Sequence, residues 1–300
     1  MKRKVIKQGP STLMVSLPSK WVKEHNIEQG NEVELEEISE GLLIKTDSKS
    51  KLNTITVNVS GPPKLIRRYI GNIYRKGYDE ITLEFDDPSS IKHIEKYSQD
   101  FLGLQITEQG KKYCVLHSVA SLKIEEYDSM VNRIFLLILE MGSDVIDALK
   151  KKDLDELSNI AILDNSVNKL FNACLRIINR PGFPRKVYFS GKLLIRLEDA
   201  GDRYRDLAEY LLSLKDLKIS KETMAFLCHI NEKVRKLYEL YSKFDKEKIL
   251  YIFDKREEFV RRTNELLERV PKKEIRIIHI LGKLVDDIYE ASSPLFGLNL

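Results

Sequence analysis

Apolar residues recur at helical spacing from about Ser121 to the C-terminus, and this pattern constrains the fold more than any other feature of the chain. The pattern predicts helices near 122–151, 153–180, 186–214, 219–243, 245–270 and 272–292. The breaks between them fall at Lys152-Asp153, Arg180–Pro184, Lys215–Lys218, Phe244-Asp245 and Pro271. Loops this short make consecutive helices antiparallel neighbours. Residues 121–300 are therefore predicted to form an all-α bundle of six helices.

The helical region contains an internal repeat. Pro181 and Pro271 lie ninety positions apart, and so do Leu163-Asp164 and Phe253-Asp254. A fixed offset of this kind indicates a duplicated structural unit. We predict two three-helix repeats, over residues 121–214 and 219–300.

Two smaller segments precede the bundle. Residues 1–50 read as short strands, a short helix that begins at Pro18-Ser19, and a hairpin around Glu40-Gly41. Residues 51–120 alternate strand and helix patterns in the order β-α-β-α-β-β, which predicts a small α/β domain. The chain is thus expected to be multidomain.

Composition indicates the cellular compartment of the chain. Of its 300 residues 32% are charged and 42% hydrophobic, and the apolar run from Ile134 to Leu139 is far too short to span a bilayer. The N-terminus lacks the apolar stretch of a signal peptide. Cys114, Cys174 and Cys228 are scattered and odd in number, which argues against a disulfide framework and for a reducing compartment. We expect a cytoplasmic protein without membrane insertion.

The helix predicted over residues 193–211 carries an acidic column. Glu198, Asp202 and Asp206 recur at every fourth position and so share one face, beside a seam in which Gly201 permits close approach of a partner helix. Like charges at this spacing repel by a few tenths of a kcal/mol per pair. A cation that bridges the carboxylates would turn this repulsion into attraction. Two interpretations stay open: a metal site, or a solvated acidic edge that Arg203 and Arg205 partly neutralise.

The sequence L-E-D-A-G-D-R-Y-R-D-L-A-E within this helix resembles the signature helix of the PhoU family. The resemblance covers about Ser121 to the C-terminus. It implies a bundle of two three-helix repeats that carries metal clusters on acidic motifs and regulates phosphate uptake. The implied first site comprises Asp164, Glu198, Asp202 and Asp206. Oxygen ligands favour magnesium, manganese or iron over zinc.

The second repeat has a degraded version of this motif. His279 stands where the first repeat has its glutamate, and Lys283 stands where it has its aspartate. A lysine at a ligand position disfavours a cation. A weaker second metal site is predicted at Asp254, Glu258 and Asp287.

The N-terminal sequence K-Q-G-P-S-T-L-M-V-S-L-P-S-K-W-V, followed by I-E-Q-G-N-E-V-E-L, resembles the AbrB/MazE/SpoVT swapped-hairpin family. The resemblance implies an obligate homodimer that binds duplex DNA through its basic first strand and the following loop. The implied DNA-binding residues are Arg3, Lys4, Lys7, Gly9, Ser11 and Thr12. Pro10 departs from the family pattern and removes a backbone donor, so the alternative is a domain that only dimerises.

No nucleophile–base constellation, phosphate-binding glycine loop or Glu-x-x-His pair occurs in the chain, so we expect no enzyme activity; a metal-dependent hydrolase or oxygenase ranks last. The main hypothesis is a DNA-binding transcriptional regulator of phosphate uptake with a metal-binding PhoU-like sensor bundle. The alternative is a PhoU-like adaptor that contacts a phosphate transporter, its ATPase or a sensor protein. Arg67, Arg68, Arg75 and Lys76 of the middle domain form either a basic binding face or an ordinary solvated face.

Overall fold

The computed structural model describes residues 2–38, 41–46, 52–120, 122–180, 182–184, 186–214 and 216–300. The chain divides into two compact units, one ending at Leu52 and one covering Asn53–Leu300. Each unit is described by itself below. No helix within the described ranges is long and apolar enough to cross a membrane.

The first unit contains two antiparallel hairpins and a short helix. Strands β1 (Ile6–Gln8) and β2 (Thr12–Met14) pair across a turn in which Gly9 adopts a φ of +75°, a conformation that glycine tolerates best. Helix α1 spans Ser19–Glu24. Strands β3 (Val33–Ile38) and β4 (Gly41–Thr46) form the second hairpin. The predicted element order is confirmed, although β1 and β2 are shorter than expected, and Glu40 of the predicted turn lies outside the described residues.

The described part of the first unit has no buried core. None of its described side chains is buried, and large apolar side chains such as Ile6, Leu13 and Leu35 are more than half exposed. A segment of about fifty residues rarely buries enough apolar surface to be stable alone. The exposed apolar side chains of the first unit therefore form a surface that another chain could cover.

The second unit begins with a four-stranded mixed sheet and two helices. Their bounds are β5 (Thr54–Asn58), α2 (Pro63–Arg75), β6 (Glu80–Glu84), α3 (Ser90–Ser98), β7 (Leu104–Gln109) and β8 (Tyr113–Ser118). The strand order is β5-β6-β8-β7, with β5 parallel to β6 and the other pairs antiparallel. The predicted β-α-β-α-β-β order is confirmed.

The remainder of the second unit is a helical bundle. Its helices are α4 (Tyr127–Lys151), α5 (Leu154–Ile178), α6 (Val187–Leu212), α7 (Lys221–Ser242), α8 (Lys246–Asp254), α9 (Arg256–Arg269) and α10 (Lys272–Leu298). In the described residues the bundle has seven α-helices where six were expected, because the helix expected over 245–270 is divided at Lys255 into α8 and α9. Neither proline nor glycine marks that interruption, so the residue pattern held no signal for it.

Local side-chain chemistry explains several helix ends. Asp153 begins α5 by accepting a hydrogen bond from the amide of Asp155 (2.9 Å), and Ser220 begins α7 by accepting one from Thr223 (3.2 Å). Lys152 ends α4 in the left-handed conformation with a φ of +59°. Helix α10 continues to Leu298, beyond the predicted end at 292. Pro294 lies in its last turns, where it removes a single helical hydrogen bond.

The packing of the bundle places α6 at its centre. Helix α6 contacts α4, α5 and α10, and α10 is the third helix of the second predicted repeat. Gly201 lies against α5, as the sequence predicts, and a Cβ there would make an ordinary contact of 3.4 Å with Cγ1 of Val167. Helix α2 of the α/β part packs against α5, which also contacts α6. The acidic column of α6 therefore lies near both the second repeat and the α/β part.

Candidate functional site

The acidic column of α6 surrounds an arginine. Arg205 Nη1 donates to Asp164 Oδ2 on α5 (3.2 Å), and Nη2 donates to Asp206 Oδ1 (3.0 Å). Arg205 also forms a very short ion pair with Asp202. One guanidinium thus bonds to three of the four carboxylates predicted to hold a metal. The structure does bring Asp164 against α6, as the prediction requires.

Asp164 is buried in this cluster, with 4% of its surface exposed. Burial raises the pKa of its carboxyl, although Arg205 opposes that shift. Asn168, one turn along α5, donates its amide nitrogen to Asp164 Oδ2 (3.1 Å). The amide group of Asn168 acts here as a hydrogen-bond donor to the carboxylate.

Glu198 lies one turn before Asp202, and within the described ranges no hydrogen bond or ion pair joins it to Arg205. Burial raises the pKa of its carboxyl to about 7, and the charges of Asp202, Asp199 and Asp164 act in the same direction. Arg75 of α2 is the cation that opposes this shift. Glu198 therefore faces the α/β part, across from Arg75.

The predicted second site is also organised by arginines. Asp287 on α10 is buried and accepts hydrogen bonds from Arg203 Nε (3.1 Å) and Arg196 Nη1 (3.5 Å) of α6. Burial raises the pKa of Asp287 to about 6 despite these two cations. Glu258 instead pairs with Lys255 at 2.6 Å, and the side chain of Asp254 lies outside the described residues.

The fit of these residues to a metal ion follows from their partners. Within the described ranges, no three acidic, histidine or cysteine side chains are arranged to hold a metal ion. Arg205 takes up the carboxylate oxygens that a cation needs, so the set does not fit a metal as it stands. A metal in the first site would have to displace the guanidinium. The metal centre stays a prediction.

The residues predicted to contact DNA all lie in the first unit. Arg3 and Lys4 precede β1, Lys7 lies in β1, and the loop from Gly9 leads to Ser11 and Thr12 at the start of β2. All six are exposed. In the described part of the chain, no acidic side chain pairs with Arg3, Lys4 or Lys7. The hairpin therefore presents a basic, uncompensated surface.

The contacts of the arginines that connect these elements were not predicted from the sequence. Arg75 Nε donates to Asn172 Oδ1 on α5 (2.8 Å), and Arg176 of α5 is fully buried against the α/β part. Arg203 and Arg205 were considered only as partial neutralisers. A buried arginine within an apolar helix face, as at position 176, was the available signal, because such a residue needs a partner.

Comparison with known proteins agrees with this architecture. Residues 6–51 match the family described as antidote-toxin recognition MazE, bacterial antitoxin. No curated protein matches the sequence. The fold is similar to that of the phosphate transport system regulatory protein PhoU from Streptococcus pneumoniae, with a TM-score of 0.50, 20% identity, and coverage of 59% of this chain and 94% of that protein. PhoU from Pseudomonas aeruginosa gives a TM-score of 0.50 with 18% identity, over 59% of this chain and 96% of that one.

These findings define the chain by its two parts. It carries a MazE/AbrB-like domain at residues 6–51, and the rest of the chain is structurally similar to PhoU proteins. Both resemblances predicted from the sequence are confirmed, as is the succession of a small β region, a small α/β part and a helical bundle.

Proposed function

We propose that this protein is a cytoplasmic, homodimeric transcriptional regulator of phosphate uptake. Its first unit binds duplex DNA, and its bundle responds to a signal. The observation that carries the proposal is the exposed basic hairpin of the first unit, within a domain matched to MazE. The proposal assigns no catalytic activity to the chain.

The absence of a buried core supports the homodimer. None of the described side chains of the first unit is buried, and Leu13 and Leu35 are 68% and 60% exposed. Burial of a leucine side chain contributes about 2 kcal/mol. A second copy of the same unit would cover these side chains and supply the core that one copy lacks.

Uncompensated positive charge supports DNA binding. Arg3, Lys4 and Lys7 lie on or next to one strand, and a dimer doubles their number. Cations on an exposed strand reach backbone phosphates, and they release the counterions condensed there. None of the unit's acidic residues lies in the first hairpin: Glu24 ends α1, and Glu32 and Glu34 belong to the region of the second hairpin.

The link to phosphate uptake comes from the fold of the bundle. The similar protein from Streptococcus pneumoniae is a phosphate transport system regulatory protein, and we extend that role to this chain as a proposal. The three free cysteines suit a reducing compartment, which supports a cytoplasmic location.

Metal binding is a separate proposal. A divalent or iron-type ion (magnesium, manganese, iron or zinc) would use Glu198, Asp202, Asp206 and Asp164 after Arg205 has left them. Four carboxylates without a guanidinium repel one another, and a hard cation relieves that repulsion. The weaker site at Glu258 and Asp287, with Asp254, requires the same loss of basic partners.

The adaptor role remains the second candidate function. It is favoured by Pro10, which lies in the basic hairpin loop and offers no amide to a phosphate group. In that case the first unit only dimerises, and the bundle contacts a phosphate transporter, its ATPase or a sensor protein.

Binding of the full chain to duplex DNA from its own upstream region distinguishes the two candidates. We expect Lys4→Ala with Lys7→Ala to weaken binding, and to reduce the slope of log affinity against log salt by about 0.9 for each lost phosphate contact. The matched control is Lys20→Ala with Lys23→Ala in α1, which removes the same charge from the same unit. Equal losses in both double variants, or no salt dependence, would reject this DNA-binding mode and favour the adaptor.

A further inference from the structure

A cavity lies between the α/β part and the helical bundle within the second unit. Its volume is about 800 Å³, within the range of about 300–1,000 Å³ typical of small-molecule sites. Helices α2 and α3 form one wall, and α5 and α6 form the other. The basic side chains that line it are Lys64, Arg67, Arg68, Arg75, Lys96 and Lys169. We call this space the basic cleft.

Only part of this positive charge is compensated. Arg67 pairs with Asp100 at 3.0 Å, and Arg75 faces the carboxyl of Glu198 at the edge of the acidic column. Among the described residues, the side chains of the remaining four make no ion pair or hydrogen bond. These four are Lys64, Arg68, Lys96 and Lys169.

Like charges around one cavity repel, and a bound anion turns that repulsion into attraction. Arg68 supplies a planar fork of donors that suits phosphate oxygens, and the three lysines supply mobile point charges. Four uncompensated cations match an anion with several charges better than a single carboxylate. The volume also exceeds what one orthophosphate ion would fill.

Polar and aromatic groups complete the lining. Asn165 and Asn168 of α5 offer amide groups, and Tyr97 of α3 is half-buried at the wall. Asn172 is buried and holds Arg75 by accepting its Nε–H at 2.8 Å, so this guanidinium is positioned before a ligand arrives. Positioned donors lower the cost of ordering side chains on binding.

We propose that the basic cleft binds a small molecule that carries two or more phosphate groups. The walls come from two parts of the second unit, so this site differs from the DNA-binding hairpin proposed for the first unit. The inference stands independently of the proposed function, because it rests on the second unit alone. A ligand here contacts both the α/β part and the bundle, and so affects how firmly they dock.

Calorimetric titration of the full chain with ATP, tripolyphosphate and orthophosphate, at about 0.15 M salt, tests the proposal. We expect ATP or tripolyphosphate to bind and orthophosphate to bind far more weakly. Tighter binding of ATP would mean that the base contributes, whereas equal binding would assign the affinity to the phosphate chain. Either result supports the site.

The decisive comparison uses two double variants with the same change in net charge. Lys96→Glu with Lys169→Glu reverses one cation on α3 and one on α5 inside the cleft. Lys92→Glu with Arg133→Glu reverses one exposed cation on α3 and one on α4 outside it. We expect the first pair to weaken binding by at least about tenfold per charge, and the second pair by much less.

Three outcomes would overturn the proposal. The first is that neither ATP nor tripolyphosphate binds the wild-type chain. The second is that both double variants lose affinity equally. The third is that a short oligonucleotide binds instead of these two molecules, and that the cleft variants abolish its binding. Thermal melting checks that each variant is folded. Should the first pair unfold the chain, Lys64→Glu with Arg68→Glu repeats the test from α2.

Discussion

Arg176 Nη2 donates a hydrogen bond to Asp79 Oδ1 at 2.7 Å, so that a fully buried arginine of α5 pairs with a carboxylate just before β6. Its Nη1 donates to the carbonyl oxygens of Tyr74 and Tyr78, at 2.9 and 2.7 Å. The last carbonyls of a helix lack helical partners and attract cations. One side chain thus closes the end of α2 and joins the α/β part to the bundle.

Replacement of Arg176 by leucine should loosen this joint. The change leaves Asp79 without its cation and the Tyr78 carbonyl without this donor, whereas the Tyr74 carbonyl still accepts from the Gly77 amide. We expect it to lower the free energy of unfolding by about 3 kcal/mol. Urea denaturation followed by circular dichroism measures the loss. Arg133→Leu, at an exposed position on α4, is the control and should change stability by less than about 0.5 kcal/mol. Equal losses of stability in the two variants would show that the contacts of Arg176 do not stabilise the fold.

The sequence predicted the elements better than their partners, and Arg176 shows why. Helices and strands follow from periodicities within ten or twenty residues, and the patterns on α2 and α5 were sufficient for that. Arg176 and Asp79 lie ninety-seven positions apart, and their pairing depends on how two finished elements dock. Nothing in the local spacing encodes that register.

The same limit affected the acidic column of α6. Its spacing correctly placed Glu198, Asp202 and Asp206 on one face, and Gly201 correctly indicated a close neighbour. Arg205 lies three residues after Asp202, yet which carboxylates it reaches depends on rotamers and on the position of Asp164. A column of acidic residues therefore predicts a charged site. Whether an arginine or a metal ion neutralises that site depends on how the helices pack.

Glycine at position 142 is required by a contact across the bundle. A Cβ there would lie 2.7 Å from Nδ2 of Asn231 and 2.9 Å from the Tyr204 hydroxyl, which donates to Asn231 Oδ1 at 2.5 Å. Alanine favours a helix over glycine by about 1 kcal/mol, but an unpaired buried hydroxyl costs about 1–3 kcal/mol. We expect Gly142→Ala to lower the melting temperature.

Gly191 in α6 is the matched control for that substitution. Its added Cβ would meet Cδ1 of Ile178 at 3.5 Å, an ordinary contact, so Gly191→Ala should raise the melting temperature through helix propensity alone. Opposite signs for the two glycines would confirm the role of the Tyr204–Asn231 pair. A gain in both variants would contradict it.

The first unit should control the oligomeric state of the full chain. Leu13→Asp with Leu35→Asp places charges on side chains that a second copy would bury, and we expect a dimer of the wild type to become a monomer. Sedimentation equilibrium reports the mass. Ile162→Asp changes a side chain of α5 that is 65% exposed, and it should leave the dimer intact. A monomeric wild type would reject the proposed dimer.

Thiol reactivity should separate one cysteine from the other two. Burial raises the pKa of the Cys114 thiol to about 11 and that of Cys174 to about 12, so both stay protonated at pH 8. The thiolate is the reactive form, and Cys228 is exposed. Iodoacetamide at pH 8 should modify one thiol per native chain, three after unfolding, and none in native Cys228→Ser. Modification of two or more native thiols would contradict the buried environment of Cys114 and Cys174.

The competition between Arg205 and a metal gives the last prediction. Without metal, Arg205→Ala leaves the buried Asp164 unpaired, and we expect a loss of stability of about 3 kcal/mol. Manganese ions should then stabilise Arg205→Ala far more than the wild type, because the carboxylate oxygens are free for a hard cation. Thermal melting with and without manganese measures both effects. Arg205→Ala with Glu198→Gln should lose most of the gain, and Arg261→Ala, at an exposed position, should show none. If manganese leaves Arg205→Ala unchanged, the metal prediction for Asp164, Glu198, Asp202 and Asp206 is wrong, and this column serves only to pair helices through arginine.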